Sequence, residues 1–163
     1  MVNDAPSMAR YVVHSCSYTS EPNSAPNAAA SSTEELINLY GVRVTGEVQR
    51  LRVNLNRDVF VIFQAGIGYI QCHPDSSPPT IYCEAQSADS WPALASILTP
   101  ERVTRLHAAG FADPGRAPNY WKNYLVDQAD DHMIARELLA ILYDVYGYTG
   151  LPKLEVFTER TRR

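Results

Sequence analysis

The sequence predicts an α+β fold, a single domain in which an antiparallel β-meander of about four strands packs against helices. Three observations lead to this prediction. The chain has 163 residues, the size of one ordinary domain. Short apolar runs separated by turn residues fill much of the first half of the chain. Helical spacing with cap residues takes over from about residue 90.

The domain boundaries follow from composition. Residues 17–33 are rich in Ser, Pro, Asn and Ala, which offer little apolar surface to repay ordering. We therefore expect a flexible N-terminal segment at 1–33, one α+β domain at 34–159 and a basic tail at 160–163.

The first elements are predicted to be a short helix and a strand. Ser32 and Glu35 have the spacing of a capping box, and a helix ending by Gly41 should follow. From Thr45 to Asn56, apolar residues such as Leu51 alternate with polar ones, the period expected of a strand with one wet face.

Three further strands complete the predicted meander. The continuously apolar run 59–63 should fold back as a hairpin partner, and 69–72 and 80–85 read as the next two strands. The segment 73–79 contains three prolines and is expected to be a loop.

The second half is predicted to be mainly helical. Thr99 and Gly110 have the cap positions of a helix over 100–109. An irregular crossing anchored by aromatic residues is expected over 112–124, and the longest helix over 129–146. A final short strand is expected near Leu154.

Composition and charge argue against several classes of protein. The net charge of −4 and the pI near 5.5 disfavour an electrostatic grip on nucleic acid. No run approaches the length of a membrane-spanning helix, and the N-terminus lacks the order of a secretory signal. We therefore expect a cytoplasmic protein with neither nucleic-acid nor membrane partners.

Cysteine and histidine residues do not predict a metal site. Three cysteines are an odd number in a chain of this size, and reduced thiols are the economical interpretation. Cys72, His73, Cys83 and His107 are soft-ligand types, but their spacing is not that of a zinc site. Neither a metal nor another cofactor is predicted.

Recognisable catalytic motifs are also missing from the sequence, and we predict that the protein is not an enzyme. The alternative is a small enzyme or ligand-binding domain that uses Glu84, Asp130, Asp131 and His132 as an acid-base set. It predicts that these side chains converge in one concave pocket.

Candidate partner-binding residues come from two groups. Arginines on or beside the wet face of the first predicted strand suit carboxylates of a partner, although a solvated sheet face is the simpler interpretation. Large aromatic residues anchor interfaces but are equally the types that pack a helix onto a sheet, and Asn119 is a further candidate beside them in the sequence. The candidates are Arg50, Arg52, Arg57, Trp91, Asn119, Tyr120 and Trp121.

The second half of the chain resembles a known family, the YbjN-like and type III secretion chaperone-like domains, also called TY-type peptide-binding chaperones. The resemblance covers residues 82–146 and depends on a series of short motifs. They are Glu84-Ala85-Gln86-Ser87 after a strand, Leu98-Thr99-Pro100-Glu101 opening a helix, Gly110-Phe111 at its stop, Pro118-Asn119-Tyr120-Trp121, and Tyr146-Gly147 after a long helix. Residues 1–33 have no counterpart in the family pattern.

The resemblance implies a sheet backed by helices in the style of secretion chaperones, often dimeric, with a surface that holds a segment of another protein. It implies no active site. We therefore predict a non-catalytic, chaperone-like protein-binding module whose partner is a secreted protein, with a homodimer as a further possibility. The alternative is an immunity protein that binds and neutralises a bacterial toxin, because an acidic surface suits basic toxin domains.

Overall fold

The computed structural model describes residues 28–115 and 117–160 and has an α+β architecture, as predicted. Five antiparallel strands form an open sheet in the order β4-β3-β2-β1-β5. The elements are α1 (Thr33–Arg52), β1 (Val59–Gln64), β2 (Tyr69–Ser76), β3 (Pro79–Ala85), α2 (Pro100–Ala108), β4 (Tyr120–Leu125), α3 (Asp131–Asp144) and β5 (Glu155–Arg160), with a short 3-10 helix at Pro92–Ser96.

Helices α1 and α3 pack against each other and against one face of the sheet, which we call the inner face. Alternate residues of the strands are buried beneath them, because successive side chains of a strand point to opposite faces. The strand residues of this core include Val61, Phe63, Ile70, Cys72, Ile81, Cys83 and Tyr124. The fold is therefore a two-layer sandwich.

Helix α1 corrects the prediction of a strand over 45–56. The predicted N-cap is present, since the Ser32 hydroxyl accepts from the Glu35 amide at 3.2 Å, although the Glu35 carboxylate accepts from the Ser31 amide and not from that of Ser32. The helix continues through Gly41 to Arg52. Its buried residues, Leu36, Tyr40, Val44, Val48 and Leu51, recur at helical spacing. The strand prediction was wrong because the apolar stripe of α1 packs against the sheet and α3. The free energy gained by that packing exceeds the cost of placing two glycines inside the helix.

The proline-rich segment 73–79 also differs from its prediction as a loop. Most of it lies in the β2–β3 hairpin, where Pro74 is opposite Ile81 and Ser76 is opposite Pro79. The register of β1 with β2 ends at the pair Val61 and Cys72. Pro74 therefore has β3 as its one strand neighbour, and its missing N–H interrupts no ladder with β1.

Strand β4 replaces the end of the irregular crossing predicted over 112–124. Pro114, Gly115 and Pro118 precede it, so the residues that disfavour regular structure end before the strand begins. By contrast, α2 and α3 agree closely with the two predicted helices, with Thr99 and Asp130 as N-caps. The predicted final strand is also confirmed, as β5.

Cys72 and Cys83 form a disulfide, which contradicts the prediction of reduced thiols. The two residues are directly opposite each other in the β2–β3 hairpin, with their Cα atoms 4.1 Å apart. That distance is slightly shorter than the usual Cα–Cα distance of a disulfide, and it is short enough for the two sulfur atoms to bond. Counting cysteines in the sequence does not reveal such a register.

The predicted flexible segment at 1–33 and basic tail at 160–163 lie largely outside the described residues. Within residues 28–115 and 117–160, no helix combines the length and the apolar character needed to cross a membrane.

Candidate protein-binding surface

The face of the sheet opposite to α1 and α3 is the candidate surface, and we call it the outer face. One row of side chains crosses all five strands on this face. The register sets Trp121 opposite Glu84, Glu84 opposite Gln71, Gln71 opposite Ile62, and Ile62 opposite Phe157. Neighbouring positions in such a row are close enough for direct contact between side chains.

The outer face combines exposed aromatic groups with negative charge. Trp121 is 36% exposed and Phe157 is 38% exposed, at opposite ends of the row. The face carries the carboxylates of Asp75, Glu84 and Glu155. Among the outer-face side chains that the structure describes, none is a lysine or an arginine.

Glu84 lies at the centre of a hydrogen-bonded cluster on this face. The Tyr82 hydroxyl donates to Glu84 Oε1 at 2.9 Å, and Asn119 Nδ2 donates to Glu84 Oε2 at 3.2 Å. Asn119 Nδ2 also lies 3.3 Å from the Tyr69 hydroxyl, to which it donates. Each oxygen of the half-buried carboxylate is thus held by a neutral donor.

Asn119 is itself held firmly from the other side. Its Oδ1 accepts from the Ser87 amide at 3.2 Å and from the Ser90 hydroxyl at 2.8 Å, while the Ser87 hydroxyl donates to the Pro118 carbonyl. Because a backbone N–H only donates, these contacts direct the NH₂ group of Asn119 towards Glu84. Asn119 is 4% exposed, so it positions the cluster and does not itself present a surface.

Aromatic rings lie near Glu84 on the outer face. The rings of Tyr82 and Trp121 are stacked, with centroids 6.2 Å apart and planes inclined by 20°, and His73 lies 4.8 Å from Tyr82 on the other side. Burial, together with the hydrogen bond to Glu84 and its negative charge, raises the pKa of Tyr82. Tyr82 therefore stays a donor to Glu84. The ring of Trp121, directly opposite Glu84 on β4, is the apolar platform of the site.

The three candidate arginines are not on a sheet face, so that part of their prediction is wrong. Arg50 and Arg52 lie in the last turn of α1. Arg50 is bonded to Glu47 at 2.8 Å and to the Phe60 carbonyl at 2.8 Å. Arg57 is exposed in the turn that precedes β1.

Arg52 is committed to contacts within the fold. Its Nε bonds Asp131 Oδ1 at 2.6 Å, and its Nη atoms donate to the carbonyls of Val126 and Ala129 at 2.5 Å each. It therefore links the end of α1 to the start of α3.

The aromatic candidates separate into different places. Trp121 is on the outer face, whereas Tyr120 points to the inner side of β4 and lies against His107, with centroids 6.1 Å apart. Trp91 is 40% exposed beside the Ser87–Ser90 turn that holds Asn119. Sequence reasoning did not select Tyr82, although its alternation with buried Ile81 and Cys83 marks it as a residue of the outer face.

The proposed acid-base set does not converge. Glu84 lies on the outer face, whereas Asp130 caps α3 through the Met133 amide, Asp131 pairs with Arg52, and His132 lies 3.5 Å from the Thr45 hydroxyl. These are contacts of the helical layer. In the described residues, no group of three or more His, Cys, Asp or Glu side chains is arranged to hold a metal ion.

A shallow groove runs between α2 and the end of α3, with Arg102, Arg105 and Asp144 in its lining. The two guanidinium groups donate to the carbonyls of Ile97 and Asp144, each at 3.4 Å. The arginines of the groove thus form hydrogen bonds within the fold, and the Ile97 carbonyl also accepts from the Thr99 amide at 2.9 Å.

Comparison of the chain with protein-family models, with curated proteins and with solved structures gives no match.

Proposed function

We propose that the protein is a non-catalytic binding module that holds a segment of another protein against its outer sheet face. The observation that carries this proposal is the row from Trp121 to Phe157, which spans the whole sheet opposite to the helical layer. Aromatic residues set among polar ones are the composition that interfaces favour. The resemblance to peptide-binding chaperones, which depends on short motifs alone, points the same way.

The edges of the sheet are a further feature that supports binding of an extended segment. Ala112 already pairs with Trp121 on the β4 edge, through backbone hydrogen bonds of 2.8 and 3.2 Å. Strand β5 is the other edge of the sheet, and its residue Phe157 is the last side chain of the outer-face row. A partner that crosses the outer face can therefore continue along β5 by strand addition.

An immunity role is the second candidate. It is favoured by the outer-face carboxylates Asp75, Glu84 and Glu155, which suit a basic toxin domain. The two roles use one surface and differ in the partner, a secreted protein for a chaperone and a toxin for an immunity protein.

Site-specific cross-linking tests the proposal. A photoreactive amino acid replaces Gln71, at the middle of the row, and in a matched variant it replaces Gln49, which is exposed on α1. We expect one protein to be captured at position 71 and not at 49, and mass spectrometry then names it. Equal capture at both positions, or capture at 49 alone, contradicts the assignment of the surface. Cross-linking to a second copy of the chain would instead identify a homodimer.

Alanine substitution gives the energetic test. Trp121→Ala should weaken the captured complex by roughly thirtyfold, because truncation of an interface anchor costs about 2 kcal/mol or more. Leu39→Ala is the control, since Leu39 is 42% exposed on α1, the helix that packs on the opposite face of the sheet. Titration calorimetry measures both, and an unchanged affinity for Trp121→Ala refutes the outer face as the binding surface.

A further inference from the structure

We propose that Glu84 and Trp121 together bind an arginine side chain of the partner protein. This inference rests on the proposed function and adds the chemistry of the residue that the outer face recognises. It is argued from the hydrogen-bonding capacity of Glu84, the platform beside it and the charge of the face.

The Glu84 carboxylate keeps unused capacity on both oxygens. A carboxylate offers about four lone-pair sites, and Oε1 and Oε2 each accept one hydrogen bond from Tyr82 and Asn119. No ion pair joins Glu84 to a lysine or arginine within residues 28–115 and 117–160. One free site per oxygen is the pattern that the two parallel N–H groups of a guanidinium occupy.

The ring of Trp121 supplies the second half of the site. It is directly opposite Glu84 across the β3–β4 pair and is stacked with Tyr82. A planar guanidinium stacks on an aromatic face while its edge remains free to donate hydrogen bonds. A lysine ammonium lacks both the plane and the fork, which is why the geometry selects arginine.

The surroundings favour a cation and keep the site in its binding geometry. Asp75 and Glu155 add negative charge to the same face, and the described part of that face carries no lysine or arginine. The buried Asn119, anchored by Ser87 and Ser90, fixes the orientation of the carboxylate before any ligand arrives. Such preorganisation lowers the entropy cost of binding.

A nuclear magnetic resonance titration tests the inference without a known partner. The probe is the capped pentapeptide acetyl-Gly-Gly-Arg-Gly-Gly-amide, and its control carries citrulline, the neutral isostere, in place of arginine. We expect the arginine peptide to shift the indole N–H signal of Trp121 at millimolar concentration, and the citrulline peptide to shift it far less. Equal shifts from both peptides overturn the proposal.

Two glutamate variants separate a site from a general charge effect. Glu84→Gln and Glu155→Gln remove the same charge from the same face, but Glu155 is exposed and lies outside the hydrogen-bonded cluster. Glu84→Gln should weaken binding of the arginine peptide roughly tenfold or more, because charge-assisted hydrogen bonds are lost. Glu155→Gln should weaken it less than twofold. Equal weakening by both variants overturns the proposal.

A third variant covers the case in which Glu84→Gln disturbs the fold. Trp121→Leu keeps the Glu84 cluster and removes the platform, so it too should weaken binding of the arginine peptide. Binding is followed in this variant through the backbone amide signal of Glu84, because the indole signal of residue 121 is lost. The variant's own amide spectrum, compared with that of the wild type, reports whether it is folded. Unchanged binding in Trp121→Leu refutes a role for the ring.

The two proposals fail in different ways. If cross-linking at Gln71 captures a protein and the arginine peptide does not bind, the surface is correct and the arginine assignment is wrong. If the peptide binds and position 71 captures nothing, the Glu84 site binds arginine and the proposed function is wrong. If both succeed, the captured segment should carry an arginine at the point of contact.

Discussion

Replacing Arg52 by methionine should destabilise the protein by about 3 kcal/mol. The substitution keeps most of the aliphatic stem and removes the guanidinium that bonds Asp131, Val126 and Ala129. Hydrogen bonds to charged groups contribute about 1.5–3 kcal/mol each. Water offsets part of this loss, because the Arg52 and Asp131 side chains are 24% and 20% exposed. The estimate is therefore well below the sum of three such bonds.

Urea denaturation followed by circular dichroism measures the effect. With a urea m-value of about 1–3 kcal/mol/M, a loss of about 3 kcal/mol lowers the midpoint by roughly 1–3 M at an unchanged slope. Arg57→Met is the control, because Arg57 is exposed in a turn, and its effect should stay within about 0.5 kcal/mol. A loss below about 1 kcal/mol for Arg52→Met refutes the structural role. The folded variant should still bind the partner, since Arg52 lies away from the outer face.

Two further predictions concern the packing around glycine residues and the disulfide. Gly68→Ala should destabilise by about 1–3 kcal/mol, because a Cβ there would lie 2.8 Å from the buried ring of Tyr146. Gly46→Ala should stabilise the protein by about 1 kcal/mol, since position 46 lies inside α1 and a Cβ there meets nothing within 4 Å. Thermal unfolding compares the two variants, and a change of stability in the same direction for both contradicts the packing described at these glycines. The unreduced, denatured chain should react with one equivalent of a thiol reagent, since the disulfide of Cys72 and Cys83 uses two of the three cysteines. Replacing both by alanine should cost about 3 kcal/mol, and three reactive thiols would refute the disulfide.

The helices of the second half were predictable because their ends carry local signals. Thr99 accepts from the Arg102 amide and Asp130 accepts from the Met133 amide, so each cap acts within three residues of itself. Helix α1 was predicted at its start for the same reason. The length of α1 was not predicted, because the helix was expected to end by Gly41 and residues 45–56 alternate like a strand. The contacts that stabilise the longer helix come from α3 and the sheet, which are distant in sequence.

The strands were harder to predict where a neighbouring strand determines whether a segment can be part of the sheet. Pro74 reads as a loop residue, and it is compatible with β2 because β1 no longer pairs there. Strand β4 is an edge strand whose exposed side carries Trp121 and Asn123, so its sequence lacks a continuous apolar run. Both segments are strands because of the strands that pair with them, and the order of strands in the sheet cannot be read from the sequence alone.

The candidate site shows the same limit at the level of side chains. Glu84, Asn119 and Trp121 were each noticed in the sequence. Glu84 was placed with Asp130 in an acid-base set, Trp121 was considered as interface or core, and Asn119 was named as a partner-binding residue. Their association depends on the antiparallel register of β3 and β4, which sets Trp121 opposite Glu84. The 3-10 helix and α2 lie between these two strands in the sequence, so local patterns do not reveal the pairing. A carboxylate held by Tyr82 and Asn119 beside an aromatic ring is thus a product of topology, and the Glu84→Gln and Glu155→Gln comparison tests whether that arrangement, and not charge alone, determines what the surface binds.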